Sequence, residues 1–367
     1  MRKILIVIGT RPEAIKMAPL ALKLKENKTF NVKICVTAQH RELLDDVMDQ
    51  FKLYPDYDLD IMKKNQSLYD VTSSVLQGME EIFKKYTPDI VLVHGDTTTT
   101  FTSALAANYE KIMVGHIEAG LRTYNRYSPW PEEINRNLVS KLATFHYCPT
   151  NDSVDNLVRE GVPEKNCICT GNTVIDSLFY IASITQKESF HNSQLELKKP
   201  YILVTCHRRE NYGDGAINIC TALIDIVRNH PQYDIIFSVH PNPNIRNSIL
   251  EQLSGVDGIH LIEPQSYIDF VLLMKNAFII LTDSGGIQEE APSLNVPVLV
   301  LRETTERPEA IEAGGVVLVG TVKEKIVNTV KELIEDPGLY NRMSKAVNPY
   351  GDGKSCNRIS EHLEKNL

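Results

Sequence analysis

The sequence predicts an α/β protein of two Rossmann-like, doubly wound parallel-sheet domains facing a cleft, and three observations predict it. Short, continuously apolar runs alternate with longer amphipathic segments along the whole chain, the pattern of parallel strands covered on both faces by helices. The 367 residues suit two such domains at roughly 100 to 200 residues each. Charged and small residues gather directly after the apolar runs, at the strand ends where open α/β sheets bind ligands.

In the first half, KILIVI (3–8), VKICVT (32–37), IVLVHG (90–95), IMVGHI (112–117) and ATFHYC (143–148) read as strands. Between them, PEAIKMAPLALKLKE (12–26) places apolar residues three and four apart, and SLYDVTSSVLQGMEEIFKKY (67–86) opens on Ser67, a helix-cap candidate. The polar stretch ITQKESFHNSQLELKKP (184–200) has the most linker-like composition. A second series follows: YILVTC (201–206), YDIIFSV (233–239), GIHLI (258–262), AFIILT (277–282), VPVLVL (296–301) and GVVLV (315–319).

Composition excludes several classes. Acidic residues outnumber basic ones 47 to 39, a formal charge of -8, the wrong sign for a surface that neutralises a phosphate backbone, so no nucleic-acid partner is expected. Hydrophobic residues at 43% and charged residues at 23% leave no segment biased toward disorder. The opening MRKILIVIGTRPEAIK has too short an apolar run for a signal peptide or membrane span, which makes the cytoplasm the default compartment, without a membrane partner. The seven cysteines are scattered and lack a CxxC pair, so reduced thiols are expected rather than disulfides or zinc ligands. No HExxH motif points to a catalytic metal. The absence of GxGxxG after the first strand and of GxxxxGK[ST] anywhere argues against a dinucleotide cofactor or a P-loop.

The strand-end residues carry the chemistry. Asp283-Ser284-Gly285-Gly286 follows a strand and opens a helix, so its glycines and free N–H groups suit a diphosphate; an ordinary capped turn is the other reading. Arg11 and Lys16 add positive charge after the first strand, unless they are solvated helix residues. Asp96 and Glu118 end parallel strands, and Glu132 begins a helix after Ser128-Pro129-Trp130-Pro131; crowded carboxylates raise one another's pKa and suit acid/base work. Glu132 and Arg136 share a helix face at i, i+4, so a surface ion pair is the plain alternative, and Glu133 points about 100° away. His207, followed by Arg208 and Arg209, suits a departing anion. His94, His116 and His146 lie in apolar strands and read as core histidines. Tyr267 and Phe270 are candidates to stack a base or to fill the core.

Together, Gly9-Thr10-Arg11-Pro12-Glu13, His94-Gly95-Asp96-Thr97, His116 to Arg122 and Ser128 to Arg136 resemble the non-hydrolysing UDP-N-acetylglucosamine 2-epimerase family. So do Thr170-Gly171-Asn172, His207 to Asn211, His240-Pro241-Asn242-Pro243 and Asp283 to Glu290, so the resemblance spans nearly the whole chain. It implies a glycosyltransferase-B-like fold with domains at 1–170 and 171–352, a C-terminal helix near 353–367 that packs back on the first domain, and a homodimer. It also implies a UDP-sugar substrate, no cofactor, catalytic Asp96, Glu118, Glu132 and His207, and substrate contacts from Arg11, Lys16, Arg136, Phe270, Ser284, Gly285, Gly286 and Glu290. An activator site matches Gln39, His40, Glu42, Asn65, Arg208 and His240. There Glu42 replaces the usual Gln and Asn65 the usual Arg, so a weaker activator site is expected. The implied reaction eliminates UDP to 2-acetamidoglucal and re-adds it with a proton on the other face of C2. The alternatives are a hydrolysing 2-epimerase, a UDP-sugar glycosyltransferase of the same fold and a non-catalytic UDP-sugar sensor.

Overall fold

A computed structural model of the chain describes residues 1–37, 41–62, 66–185, 199–305 and 307–367. It divides into two compact units, Met1–Tyr180 with Tyr350–Leu367, and Ile181–Pro349.

Among the described residues the first unit holds a seven-stranded parallel sheet. Its strands are β1 (Arg2–Ile8), β2 (Phe30–Val36), β3 (Tyr57–Asp58), β4 (Ile90–His94), β5 (Met113–Ile117), β6 (Phe145–Cys148) and β7 (Cys167–Cys169). They lie in the order β3-β2-β1-β4-β5-β6-β7, with registers such as Ile4 opposite Val32 and Ile90. Ile4 to Ile8 and Ile90 to Val93 are almost wholly buried, because helices cover both faces, and this is why the strands read as unbroken apolar runs. The second unit holds β8 (Tyr201–Cys206), β9 (Asp234–Val239), β10 (Ile259–Ile262), β11 (Ile279–Thr282), β12 (Val298–Val300) and β13 (Val316–Leu318). Their order is β10-β9-β8-β11-β12-β13, again parallel.

Each predicted strand is present, with ends moved by at most two residues. The short edge strands β3 and β7 were not predicted, since two or three residues carry no periodic signal. The helix Leu68–Lys85 starts as expected on Ser67, whose hydroxyl accepts the Asp70 amide while Asp70 accepts the Ser67 amide at 2.8 Å. Most of the linker-like stretch 184–200 lies outside the described residues.

Both sheets reverse their strand order once, between β1 and β4 and between β8 and β11. These switch points are where open α/β sheets leave a crevice beyond their carboxyl ends. The residues beyond them are Gly9 to Arg11 and Gly95 to Thr97 in one unit, and His207 and Asp283 in the other.

The last helix, Ser355–Asn366, is part of the first unit. The buried Asp176 carboxylate accepts the Ser355 and Cys356 amides at 3.1 and 2.9 Å, capping that helix from a distant part of the chain. His362 stands edge-on to Phe145 and Tyr147. All seven cysteines are free thiols. Among the described residues no helix is long and apolar enough to cross a membrane.

Candidate active site

In the first unit the sheet's carboxyl edge gathers five of the predicted residues into two pairs and one isolated carboxylate. Glu118 follows β5 with φ at +60°, a backbone region that costs a side-chain-bearing residue free energy and marks functional turns. Its carboxylate pairs with the Lys16 ammonium and accepts the Asn172 side-chain amide at 2.8 Å, and His94 Nε2 stands 3.8 Å away. Burial alone would raise this carboxyl, but the Lys16 charge, His94 and the hydrogen bonds from Lys16 and Asn172 outweigh it and lower the pKa to about 2. Burial lowers His94 to about 4, so at neutral pH the imidazole is neutral and Lys16 alone balances Glu118. The helix face of Lys16 is therefore not a solvated one.

Asp96, after the left-handed Gly95 turn, pairs with Arg136, and its backbone carbonyl accepts the Asn135 side chain at 2.9 Å. The i, i+4 pair between Glu132 and Arg136 does not form. Arg136 instead reaches Asp96 and, at 3.3 Å, Glu133. Glu133, buried, accepts the Thr123 and Tyr124 amides and so ties down the loop before the helix Glu132–Leu142. This leaves Glu132 Oε2 buried and without a hydrogen-bond partner, an unsatisfied polar atom of the kind that calls for a functional reason. Arg11, half-buried, opens the helix Arg11–Glu26. His116 and His146 are core histidines as expected, lowered by burial to about 3 and 4, with His116 Nε2 on the Gly95 carbonyl at 2.7 Å.

In the second unit, His207 follows β8. Its Nδ1 lies 2.9 Å from Asp283 Oδ1, and the same carboxylate accepts the His207 and Arg208 amides at 2.9 and 2.8 Å and the Asn211 side chain at 2.9 Å. Asp283 is fully buried. Burial would raise its pKa, but the hydrogen bond and charge of His207 and the two backbone N–H groups hold it at about 2. The imidazole is thus oriented by a permanent anion, with Nε2 left for other work. His207, His240 and Ser284 line a cavity of about 170 Å³, and the two imidazoles stack with centroids 5.7 Å apart.

Ser284 precedes the helix Gly285–Glu290 without a side-chain cap bond. A Cβ on Gly285 would sit 2.5 Å from the Arg307 guanidinium, which is held by Glu289 at 2.6 Å. Glu290 is buried, accepts the Tyr267 hydroxyl at 2.8 Å, and turns one oxygen back toward Gly286. Tyr267 is therefore a buried support for Glu290 and not a stacking surface, while Phe270, on the next turn of the helix Tyr267–Asn276, is half-buried. Of the positions matched to the activator site, Gln39, His40 and Asn65 lie outside the described residues, as does the Glu42 side chain. Arg208 keeps a buried Nε without a partner, and His240 Nδ1 accepts the Asn242 amide at 3.2 Å.

Sequence reasoning missed Asp283 as an orienting group, Asn172 and Glu133 as tethers, and Arg307 beside the glycine turn. The signal for Asp283 was present: a carboxylate closing a buried parallel strand, the rule already applied to Asp96 and Glu118.

The profile of the family described as UDP-N-acetylglucosamine 2-epimerase matches residues 22–364. The chain is 52% identical to the UDP-N-acetylglucosamine 2-epimerase of Yersinia pestis over 99% of its own length and 98% of that protein. To the enzyme of that name from Escherichia coli K12 it is also 52% identical, with 99% of each chain covered. It is similar to the solved UDP-GlcNAc 2-epimerase of Neisseria meningitidis bound to UDP-GlcNAc, at 50% identity and a TM-score of 0.91 over 99% of this chain and 100% of that one.

Proposed function

Because the chain belongs to the UDP-N-acetylglucosamine 2-epimerase family, we propose that it interconverts UDP-N-acetylglucosamine and UDP-N-acetylmannosamine without net hydrolysis. The observation that carries this reading is the set of buried or half-buried carboxylates at one sheet edge, Asp96, Glu118 and Glu132. The C2 hydrogen of the sugar adjoins no carbonyl, so a carboxylate cannot remove it unaided. Departure of UDP from C1 gives oxocarbenium character that acidifies it, and inversion at C2 needs a proton-transfer group on each face.

Within the second unit, Ser284, Gly285, Gly286, Glu290, Phe270 and Arg307 are inferred to hold UDP, with His207 stabilising the leaving phosphate. Lys16 has two possible anions. A substrate diphosphate that draws its ammonium away removes the largest influence opposing burial at Glu118, leaving His94 and the Asn172 hydrogen bond, and its pKa rises toward a range where it can hold and return a proton. We further infer a homodimer, which light scattering on the purified protein tests.

Proton NMR of the protein with UDP-N-acetylglucosamine in D2O should give UDP-N-acetylmannosamine with deuterium at C2. Product that keeps the original hydrogen sinks the mechanism, and free UDP accumulating with turnover favours the hydrolysing branch. Gly285→Ala is expected to weaken UDP binding by roughly tenfold, because the new Cβ displaces the Arg307 guanidinium and one charged contact is lost. Titration calorimetry with UDP reads this directly; wild-type affinity would remove Arg307 from the site.

A further inference from the structure

Three histidines of the first unit stand in buried strands, and each leaves one ring nitrogen without a hydrogen-bond partner among the described residues: Nδ1 of His116 and of His146, Nε2 of His94. What faces that nitrogen sets His94 apart. His94 ends β4 in register with Ile117, the residue before Glu118. Its side chain is 4% exposed, and its Nε2 stands 3.8 Å from Glu118 Oε2. A neutral imidazole carries one ring proton, and the carboxylate favours the tautomer with that proton on Nε2. At this separation the two make no hydrogen bond, because Oε2 is already taken by the Lys16 ammonium and the Asn172 side-chain amide. A buried donor left idle beside an occupied acceptor calls for a second arrangement of these groups.

We propose that His94 is a positioning residue that takes the place of Lys16 on Glu118 during turnover, its Nε2 donating a hydrogen bond to the carboxylate when the substrate diphosphate draws the ammonium off. The inference rests on the reading of Glu118 as a proton-transfer group. Departure of Lys16 opens a place on Oε2, and a shift of under about 1 Å brings Nε2 to hydrogen-bond length. The exchange swaps a cation for a neutral donor. Glu118 stays aimed but is held less firmly in its charged form, which suits a group that must take a proton from carbon and give it back. Burial holds His94 at about 4 against the pull of Glu118, so the incoming donor brings no charge. The charged and titratable groups facing the imidazole are Glu118 from the end of β5, Lys16 from the helix Arg11–Glu26 and the neutral His116 from β5.

Nitrogen NMR of histidine-labelled protein reads the exchange with the site intact. The His94 signal, identified as the one missing from His94→Gln, should show the proton on Nε2, and that N–H should move downfield when UDP-N-acetylglucosamine is added. A signal unmoved by the sugar nucleotide, or an Nε2 without a proton in the complex, overturns the inference. Activity gives a second readout. His94→Leu removes the donor and is expected to lower kcat by roughly 10- to 100-fold, the worth of a hydrogen bond to a charged group, with UDP affinity by calorimetry at the wild-type level. His94→Gln places an N–H near the position of Nε2 and should recover most of that loss. Equal kcat in the two variants, or UDP affinity falling in step with kcat, would make His94 a packing residue and overturn the inference. Wild-type turnover in Glu118→Gln overturns the reading of Glu118 instead, so the two failures are distinct.

Discussion

Glu118→Gln is expected to lower kcat for C2 epimerisation by roughly 10²- to 10⁴-fold, the range for losing a proton-transfer group. The amide fits the same space and still presents one oxygen to Lys16 and Asn172, the two donors on Oε2, but it cannot accept a proton from carbon. UDP affinity, read by calorimetry, should stay at the wild-type level, since Glu118 makes no contact assigned to the nucleotide. Exchange at C2 in D2O should fall with kcat. The stability cost has its own pH signature. Glu118 is depressed from 4.5 to about 2 in the folded chain, so its pair with Lys16 stabilises the protein above 4.5 and loses that contribution as pH falls toward 2. The Tm difference between variant and wild type should be constant between pH 6 and 8 and shrink in acid. Wild-type turnover in the variant would remove Glu118 from the proton-transfer set. Loss of UDP binding in step with kcat would reduce it to a scaffold for Lys16.

The sheets were legible because buried parallel strands leave unbroken apolar runs, and β1, β4 and β8 carry them to within a residue of their ends. Strand-end residues were legible for the same reason: a charge after such a run has no place in the core. What could not be read was pairing across the sequence. The i, i+4 rule joins Glu132 to Arg136, yet Asp96, 40 positions away, takes that guanidinium, because parallel topology brings the β4 end beside the helix Glu132–Leu142. The Thr170-Gly171-Asn172 motif showed no function by itself. In the fold its Asn172 side chain holds Glu118 while its amide binds the Tyr350 carbonyl at 2.7 Å. Local periodicity records what a residue sits in, whereas the partner of a buried charge is set by strand order.

Asp283→Asn should cost kcat a factor of roughly 10² or more, because the fully buried Asp283 acts through the orientation of His207. The carboxylate serves two backbone amides, the Asn211 side chain and the His207 ring at once. Asparagine has one accepting oxygen, so it must turn its NH2 toward one of these donors or release the imidazole. The backbone bonds anchor the turn, and the ring is the freer partner, so His207 loses its fixed tautomer first. Nitrogen NMR of labelled histidine should then show Nδ1 and Nε2 sharing the proton where the wild type holds it on Nδ1. A double-mutant cycle separates positioning from damage. If Asp283 works through His207, Asp283→Asn adds nothing to the loss caused by His207→Asn; additive losses would mean that Asp283 matters only for holding the turn.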